Sequence, residues 1–158
     1  MKYIYSLVFL LSVHLGFSQS LPINFEGDIS TSDFIDFDGG YAVVASNPSQ
    51  SGINMSNTVG RIIRNGGAIY GGSKILLTDN LDFSVLTKIT MKVFTTAPVG
   101  TTVKFKLEGS GPAVDVDAVT TVSNAWETLE CAFVGTDYNL NELVFMFDFG
   151  NIGDSSAN

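Results

Sequence analysis

The side chains able to do chemistry in this sequence are mainly carboxylates. Asp33, Asp36 and Asp38 form a D-x-x-D-x-D cluster ahead of Gly39-Gly40. That spacing could place two carboxylates on one Ca2+, yet no Glu stands in the final position of a twelve-residue EF-hand loop. A solvated strand face carrying Asp36 and Asp38, with Asp38 also forming a turn, explains them as well. Asp115-Val116-Asp117 is a second close pair. Glycoside hydrolysis needs two acids facing each other at about 5–10 Å, and sequence spacing does not supply that distance. The chain has one Cys and one His. A single Cys excludes an intrachain disulfide framework and a Cys-rich zinc site. Cys131 alternates with Leu129 and Phe133 on an apolar face, where a thiol behaves as a small hydrophobe, and the adjacent Glu130 opposes thiolate formation.

The lone His belongs to a separate segment. Lys2 opens a short basic stretch, and residues 4–17 are apolar apart from Ser6, Ser12, His14 and Gly16. This run is shorter than the roughly 20 residues that span a bilayer. Gly16-Phe17-Ser18 before Gln19 supplies the small residues of a signal-peptidase site. The sequence therefore predicts a secretory signal over 1–18 and an extracellular or cell-surface protein, the alternative being an uncleaved anchor. Cleavage removes Lys2 and His14, leaving the mature chain one unit more negative than the full chain's −8. Without His, the Ser-His-Asp and Cys-His modes of nucleophile activation are excluded, as are His-containing metal sites. Sixteen acidic against eight basic residues also argue against a nucleic-acid partner, which requires a basic stripe to displace counterions.

The elements that must position these groups are strands. At 158 residues the chain fits one domain, and beyond the signal no stretch keeps a helical period. Short β-branched and aromatic runs alternate with Gly, Asn, Asp, Ser and Pro, the strand-and-turn pattern. Ten strands are predicted: 21–26, 34–37, 41–45, 59–64, a run ending at 75–77, 89–94, 103–108, 114–117, 126–133 and 143–149. Asp38-Gly39-Gly40 predicts a hairpin between the second and third. Residues 97–100 predict another between Ile89/Met91/Val93 and Val103/Phe105/Leu107, with lysines on the wet face. Leu143 to Phe149 reads as a central strand buried on both faces. Together these give an all-β, two-sheet antiparallel sandwich. The tail from Gly150 to Asn158 has connector composition, so the sandwich is expected to lack its final strand within 19–158.

Sugar binding uses exposed aromatic rings with a few polar groups beside them. Tyr41, Tyr70, Trp126 and Tyr138 lie outside the obvious core runs. Tyr70 is the leading candidate because Gly66, Gly67, Gly71 and Gly72 leave its ring room. Arg64 and Asn65, just upstream, are candidate donors to hydroxyls. Trp126 opens a strand, where packing is the simpler role.

Several phrases in order carry a resemblance: Leu21-Pro22-Ile23-Asn24-Phe25-Glu26, Thr58 to Gly67, Leu81-Asp82-Phe83-Ser84, Ile89 to Phe94, Lys104 to Glu108, Trp126-Glu127-Thr128-Leu129 and Phe147-Asp148-Phe149-Gly150-Asn151. Over Gln19 to Asn158 they resemble the jelly-roll, galactose-binding-like carbohydrate-binding modules of secreted bacterial polysaccharide-degrading proteins. Those modules are often attached to laminarinase-type glycoside hydrolases. The resemblance implies a structural Ca2+ held by Glu26 and Asp28, with a further Asp on a closing strand. The laminarinase-type catalytic motif, Glu-x-Asp-x-x-Glu, is absent. The expected function is therefore non-catalytic binding of a polysaccharide or oligosaccharide, as the N-terminal accessory part of a larger extracellular protein. The alternative is a structural or adhesion sandwich with no sugar site.

Overall fold

A computed structural model describes residues 21–84, 87–133 and 139–154. The predicted signal at 1–18, Tyr138 and the tail at 155–158 lie outside the described residues. Period-two alternation produces nine strands: β1 Phe34–Phe37, β2 Gly40–Ser46, β3 Thr58–Arg64, β4 Gly72–Leu76, β5 Lys88–Phe94, β6 Thr102–Gly109, β7 Val114–Val119, β8 Trp126–Ala132 and β9 Leu140–Phe147. β6 shows the cause most plainly. Val103, Phe105 and Leu107 are buried while Lys104 and Lys106 face outward, as a sheet with one wet face requires.

The strands form a two-layer antiparallel β-sandwich. One layer is a five-stranded sheet in the order β1-β4-β9-β6-β7, and the other consists of two ribbons, β2-β3 and β5-β8. Each ribbon packs on one half of the large sheet. Ala42, Val44 and Ile62 of the first ribbon join Ile29, Phe34 and Ile75. Ile89 and Cys131 of the second join Phe105, Leu107, Phe133, Leu140 and Leu143. Met91, Val93 and Leu129 meet Val103 and Phe147. Cys131 is buried, and burial pushes its thiol pKa up, consistent with a packing role. Between the ribbons runs a cleft of about 1230 Å3, floored by Val103, Phe105, Phe145 and Phe147.

The outer face of the large sheet carries alternating charges across four strands. Lys74 on β4 meets Glu142 on β9 at 2.6 Å, Lys106 meets Glu108 at 2.5 Å, and Lys104 bridges Asp115 at 2.5 Å and Asp117 at 2.7 Å on β7. Its hydrogen bond to Asp115, then that to Asp117, holds the Lys104 pKa above the ordinary ammonium range. The Asp115/Asp117 pair is thus the counter-charge of Lys104.

Three expectations are corrected. Leu21 to Glu26 is not a strand. Pro22 has no N–H to donate, and local polar groups capture the backbone instead: Glu26 N donates to Asn24 Oδ1 and Asn24 N to Asp28 Oδ2, both at 2.8 Å. The two predicted hairpins are crossings between layers. β1 pairs with β4 and β2 with β3; β5 pairs with β8, and β6 with β7 and β9. Alternation fixes which face of a strand is buried, and that face can look across the sandwich as readily as along a sheet. The expectation for Leu143 to Phe149 holds through Phe147: β9 is the middle strand of five, with Leu143, Val144 and Met146 all buried.

Phe105, 2% exposed, packs on Phe133 and Phe145 with ring centroids 5.9 and 5.2 Å apart. Phe105→Ala is expected to lower the unfolding free energy by about 3–5 kcal/mol, whereas Val119→Ala, at a half-exposed strand end, should shift it by less than about 0.5 kcal/mol. Urea unfolding followed by tryptophan fluorescence checks both.

Candidate functional site

Three connections meet at one end of the sandwich: the β1–β2 turn, the β3–β4 loop and the turn after β9. They are held together by Arg64, the last residue of β3. The alternation that turns Ile62 toward the core also turns Arg64 inward, where it is 3% exposed. Its Nη1 donates to Phe147 O and, at 3.4 Å, to Asp148 O. Its Nη2 donates to Ala68 O and Asn151 O, both at 2.9 Å. The planar guanidinium supplies several donors in fixed directions, which suits it to carbonyls arriving from two separate loops. Burial lowers its pKa from the usual guanidinium range, and the charge of Asp148 opposes that shift. Nε is buried without a hydrogen-bond partner.

Backbone contacts complete the clamp. Ala68 N donates to Asp38 O at 3.0 Å, Asn65 N to Gly39 O at 2.8 Å, and Gly150 N to Ile69 O at 3.0 Å. The chains approach so closely that side chains are excluded. A Cβ at Gly67 (φ 76°) would lie 2.2 Å from Asp38 O, and one at Gly71 would lie 2.2 Å from Asp38 O and 3.2 Å from Gly40 N. The glycine-rich loop is therefore a docked segment with defined contacts.

On this base stand two tyrosines. Tyr41 follows Gly40 and Tyr70 precedes Gly71, so each is one residue from the touching glycines. They are 44% and 49% exposed, and Ile69 beside Tyr70 is 47% exposed. The rings are thus presented from adjacent, mutually pinned backbone. An exposed aromatic ring of this kind can stack on the apolar face of a flat ligand. Asn65 is exposed in the same loop.

The other predicted residues resolve as follows. Arg64 is corrected: its terminal nitrogens are committed to backbone carbonyls, so it organises the loops from beneath and is not a surface donor to a sugar. Trp126 is half-buried, donates from Nε1 to Ser49 O at 2.7 Å and packs on Phe94 at 5.6 Å, a structural role. The acidic cluster does not converge. Asp33 Oδ2 accepts from Ser30 N and Oγ at 2.7 and 2.8 Å. Asp36 Oδ1 accepts from Ala42 N and Ser73 Oγ. Asp38 takes a left-handed turn conformation at φ 48°.

Glu26 clamps the irregular N-terminal segment to β3. Its carboxylate accepts from Asn57 N at 2.5 Å, Thr58 N at 2.9 Å, Asn57 Nδ2 at 3.1 Å and Thr58 Oγ1 at 3.2 Å. Asp28 Oδ2 accepts from Asn24 N, while Oδ1 is buried without a partner. Ca2+ takes six to eight oxygens. Among the described residues no group of three or more His, Cys, Asp or Glu could hold a metal, so Glu26 and Asp28 alone do not fit the calcium that the resemblance implies.

Comparison with known proteins adds little to this geometry. No family model matches the chain, and no curated protein matches it. Among solved structures the chain is similar to TmCBM61, solved in complex with β-1,4-galactotriose, at 14% identity and a TM-score of 0.46, over 78% of this chain and 82% of that one. An overlap of that quality carries no inference about a ligand here.

Sequence pattern alone lists Tyr41 and Tyr70 as separate candidates with nothing to bring them together. The signal that joins them is the pairing of two glycine clusters, Gly39-Gly40 and Gly71-Gly72, each next to a tyrosine.

Arg64→Lys retains the charge but cannot span carbonyls from two loops. It is expected to lower stability by about 3 kcal/mol, as buried carbonyls lose donors, read as a lower urea midpoint; an unchanged midpoint would contradict the clamp. The Glu26 carboxyl is held below its ordinary pKa, first by the Thr58 N–H and then by Asn57. A depressed carboxyl stabilises the fold above its unfolded pKa and loses that contribution as pH falls through the folded value. The Asn57 and Thr58 amide resonances should therefore move together below about pH 4.3, and Glu26→Gln should abolish that movement.

Proposed function

We propose that this domain is a secreted, non-catalytic glycan-binding module, the accessory part of a larger extracellular polysaccharide-acting protein. The carrying observation is the pair of half-exposed tyrosines, Tyr41 and Tyr70, on loops locked together at one end of the sandwich. A pyranose ring presents a CH face that stacks on an aromatic ring and hydroxyls that accept or donate at its rim. Binding to a pre-set platform loses little loop entropy. The chain's negative charge fits a neutral partner, since it would neither repel nor attract one.

The carboxylates also favour binding over hydrolysis. Asp115 and Asp117 pair with Lys104, Asp36 holds Ala42 and Ser73, and Glu26 holds Asn57 and Thr58. Asp115 and Asp117 share one ammonium, and the others are held by N–H and O–H donors. A shallow two-ring platform corresponds to dissociation constants of roughly micromolar to millimolar.

Affinity electrophoresis against a panel including β-1,3-glucan and β-1,4-galactan tests the proposal. Retardation on at least one polysaccharide is expected. Tyr70→Ala and Tyr41→Ala should each weaken it by about tenfold or more, with urea midpoints unchanged. Retention that neither substitution alters would place the site elsewhere. No retention on any polysaccharide would favour a structural or adhesion sandwich.

A further inference from the structure

The outward face of the β2–β3 ribbon carries a cation beside Tyr41. Ala42, Val44 and Ile62 point into the core. Strand alternation therefore turns Tyr41, Val43 and Ala45 of β2 and Val59, Arg61 and Ile63 of β3 to the outside. Register sets Tyr41 across from Ile63, Val43 from Arg61 and Ala45 from Val59. Arg61 is thus the one charged group on a face whose other members are apolar or aromatic. Tyr41 is its diagonal neighbour, at about 7–8 Å, a spacing that long and aromatic side chains bridge.

Arg61 also has no counter-charge. The chain has 16 acidic and 8 basic residues, and most of its cations are taken up. Arg64 binds carbonyls, and Lys74, Lys88, Lys104 and Lys106 lie on carboxylates. Arg61 is exposed and has no hydrogen-bond or ion-pair partner among the described residues. Lys92, exposed on the outward face of β5, is the other such cation. A guanidinium offers five donors in a fixed fork. Apolar neighbours suit its aliphatic stem and leave that fork in solvent.

The shape of the face narrows its occupant. Seven residue pairs at about 3.4 Å each, on two strands about 4.8 Å apart, make a strip of roughly 24 by 10 Å. That is about 240 Å2, well short of the roughly 800 Å2 per partner in a stable protein interface. A single extended chain running with the strands fits such a strip. Starting on Tyr41, it passes Val43 and meets Arg61 about 7 Å further on. We infer that the glycan site continues from Tyr41 along the β2–β3 ribbon to Arg61, whose guanidinium donates to adjacent hydroxyls of the next sugars of the chain. Arg61 is then the residue that makes affinity depend on chain length. This inference rests on the glycan reading and adds a second contact to it.

Titration calorimetry with the di- and tetrasaccharide of a panel polysaccharide that retains the protein tests it. Affinity should rise at least about tenfold from the shorter to the longer ligand. Arg61→Met keeps the stem without the donors and should abolish that rise. Val43→Glu sets a carboxylate across from Arg61 and should abolish it with Arg61 in place. Lys92→Met removes the other cation without a partner and should leave the rise intact. Urea midpoints of the Arg61 and Lys92 variants should match the wild type, since neither side chain has a bond to lose. No rise in the wild type, or a rise that survives both Arg61→Met and Val43→Glu, overturns the inference while the glycan reading stands. A rise lost equally in Lys92→Met identifies a general charge effect and also overturns it. If no polysaccharide retains the protein, the glycan reading fails and the inference fails with it.

Discussion

The guanidinium of Arg64 is the constraint on which this end of the molecule depends. Its terminal nitrogens bind carbonyls at Phe147 and Asp148 on one side and at Ala68 and Asn151 on the other. These belong to the exit of the middle strand of the large sheet and to the loop carrying Tyr70. A buried positive charge is costly unless hydrogen-bonded. The same requirement that makes Arg64 tolerable in the interior therefore forces several carbonyls to converge. Close packing of Gly39, Gly67 and Gly71 against neighbouring backbone follows from that convergence.

Polar groups elsewhere are organised with similar economy. Lys74 and Lys104 of the outer face are matched by carboxylates one strand away and Lys106 by Glu108 on its own strand, and the acidic residues of the N-terminal region cap, turn or clamp backbone. Surface ion pairs contribute little each, roughly 0–1 kcal/mol, so the outer ladder sets register more than stability. The consequence for function is chemical. Glu26, Asp33, Asp36, Asp115 and Asp117 are engaged with donors or cations of the fold, while Tyr41 and Tyr70 are half-exposed. Stacking on a neutral ligand is the proposed chemistry of this end of the sandwich.

Much of this fold was legible in the sequence, and the part that was not has a clear physical origin. Nine of the ten predicted strands are present, those at Ile89 to Phe94 and Val103 to Glu108 nearly to the residue, while β9 begins at Leu140 and not at Leu143. Alternation could not give partners, because an inward-facing side chain packs equally well against a sheet neighbour or the opposite layer. Hence β5 and β6 read as a hairpin and proved to be a crossing between layers. Leu21 to Glu26 has strand-like composition, but Asn24 and Asp28 capture its backbone. The exposure of Tyr70 was legible from its glycine neighbours. Arg64 was misread because a cation beside a polar loop looks exposed, and only strand phase shows that it points inward. That the backbones beside Tyr41 and Tyr70 touch depends on glycines some thirty residues apart, which no local pattern encodes.

The central claim is that recognition occurs on the tyrosine-bearing loops clamped by Arg64. The most direct measurement is an amide chemical-shift titration of the isotopically labelled protein with soluble oligosaccharides of a polysaccharide that retains it. Shifts concentrated at Gly39 to Ala42 and Asn65 to Gly72, saturating in the micromolar to millimolar range, are the predicted result. Saturable shifts centred on other strands, with those two segments unmoved, would contradict it.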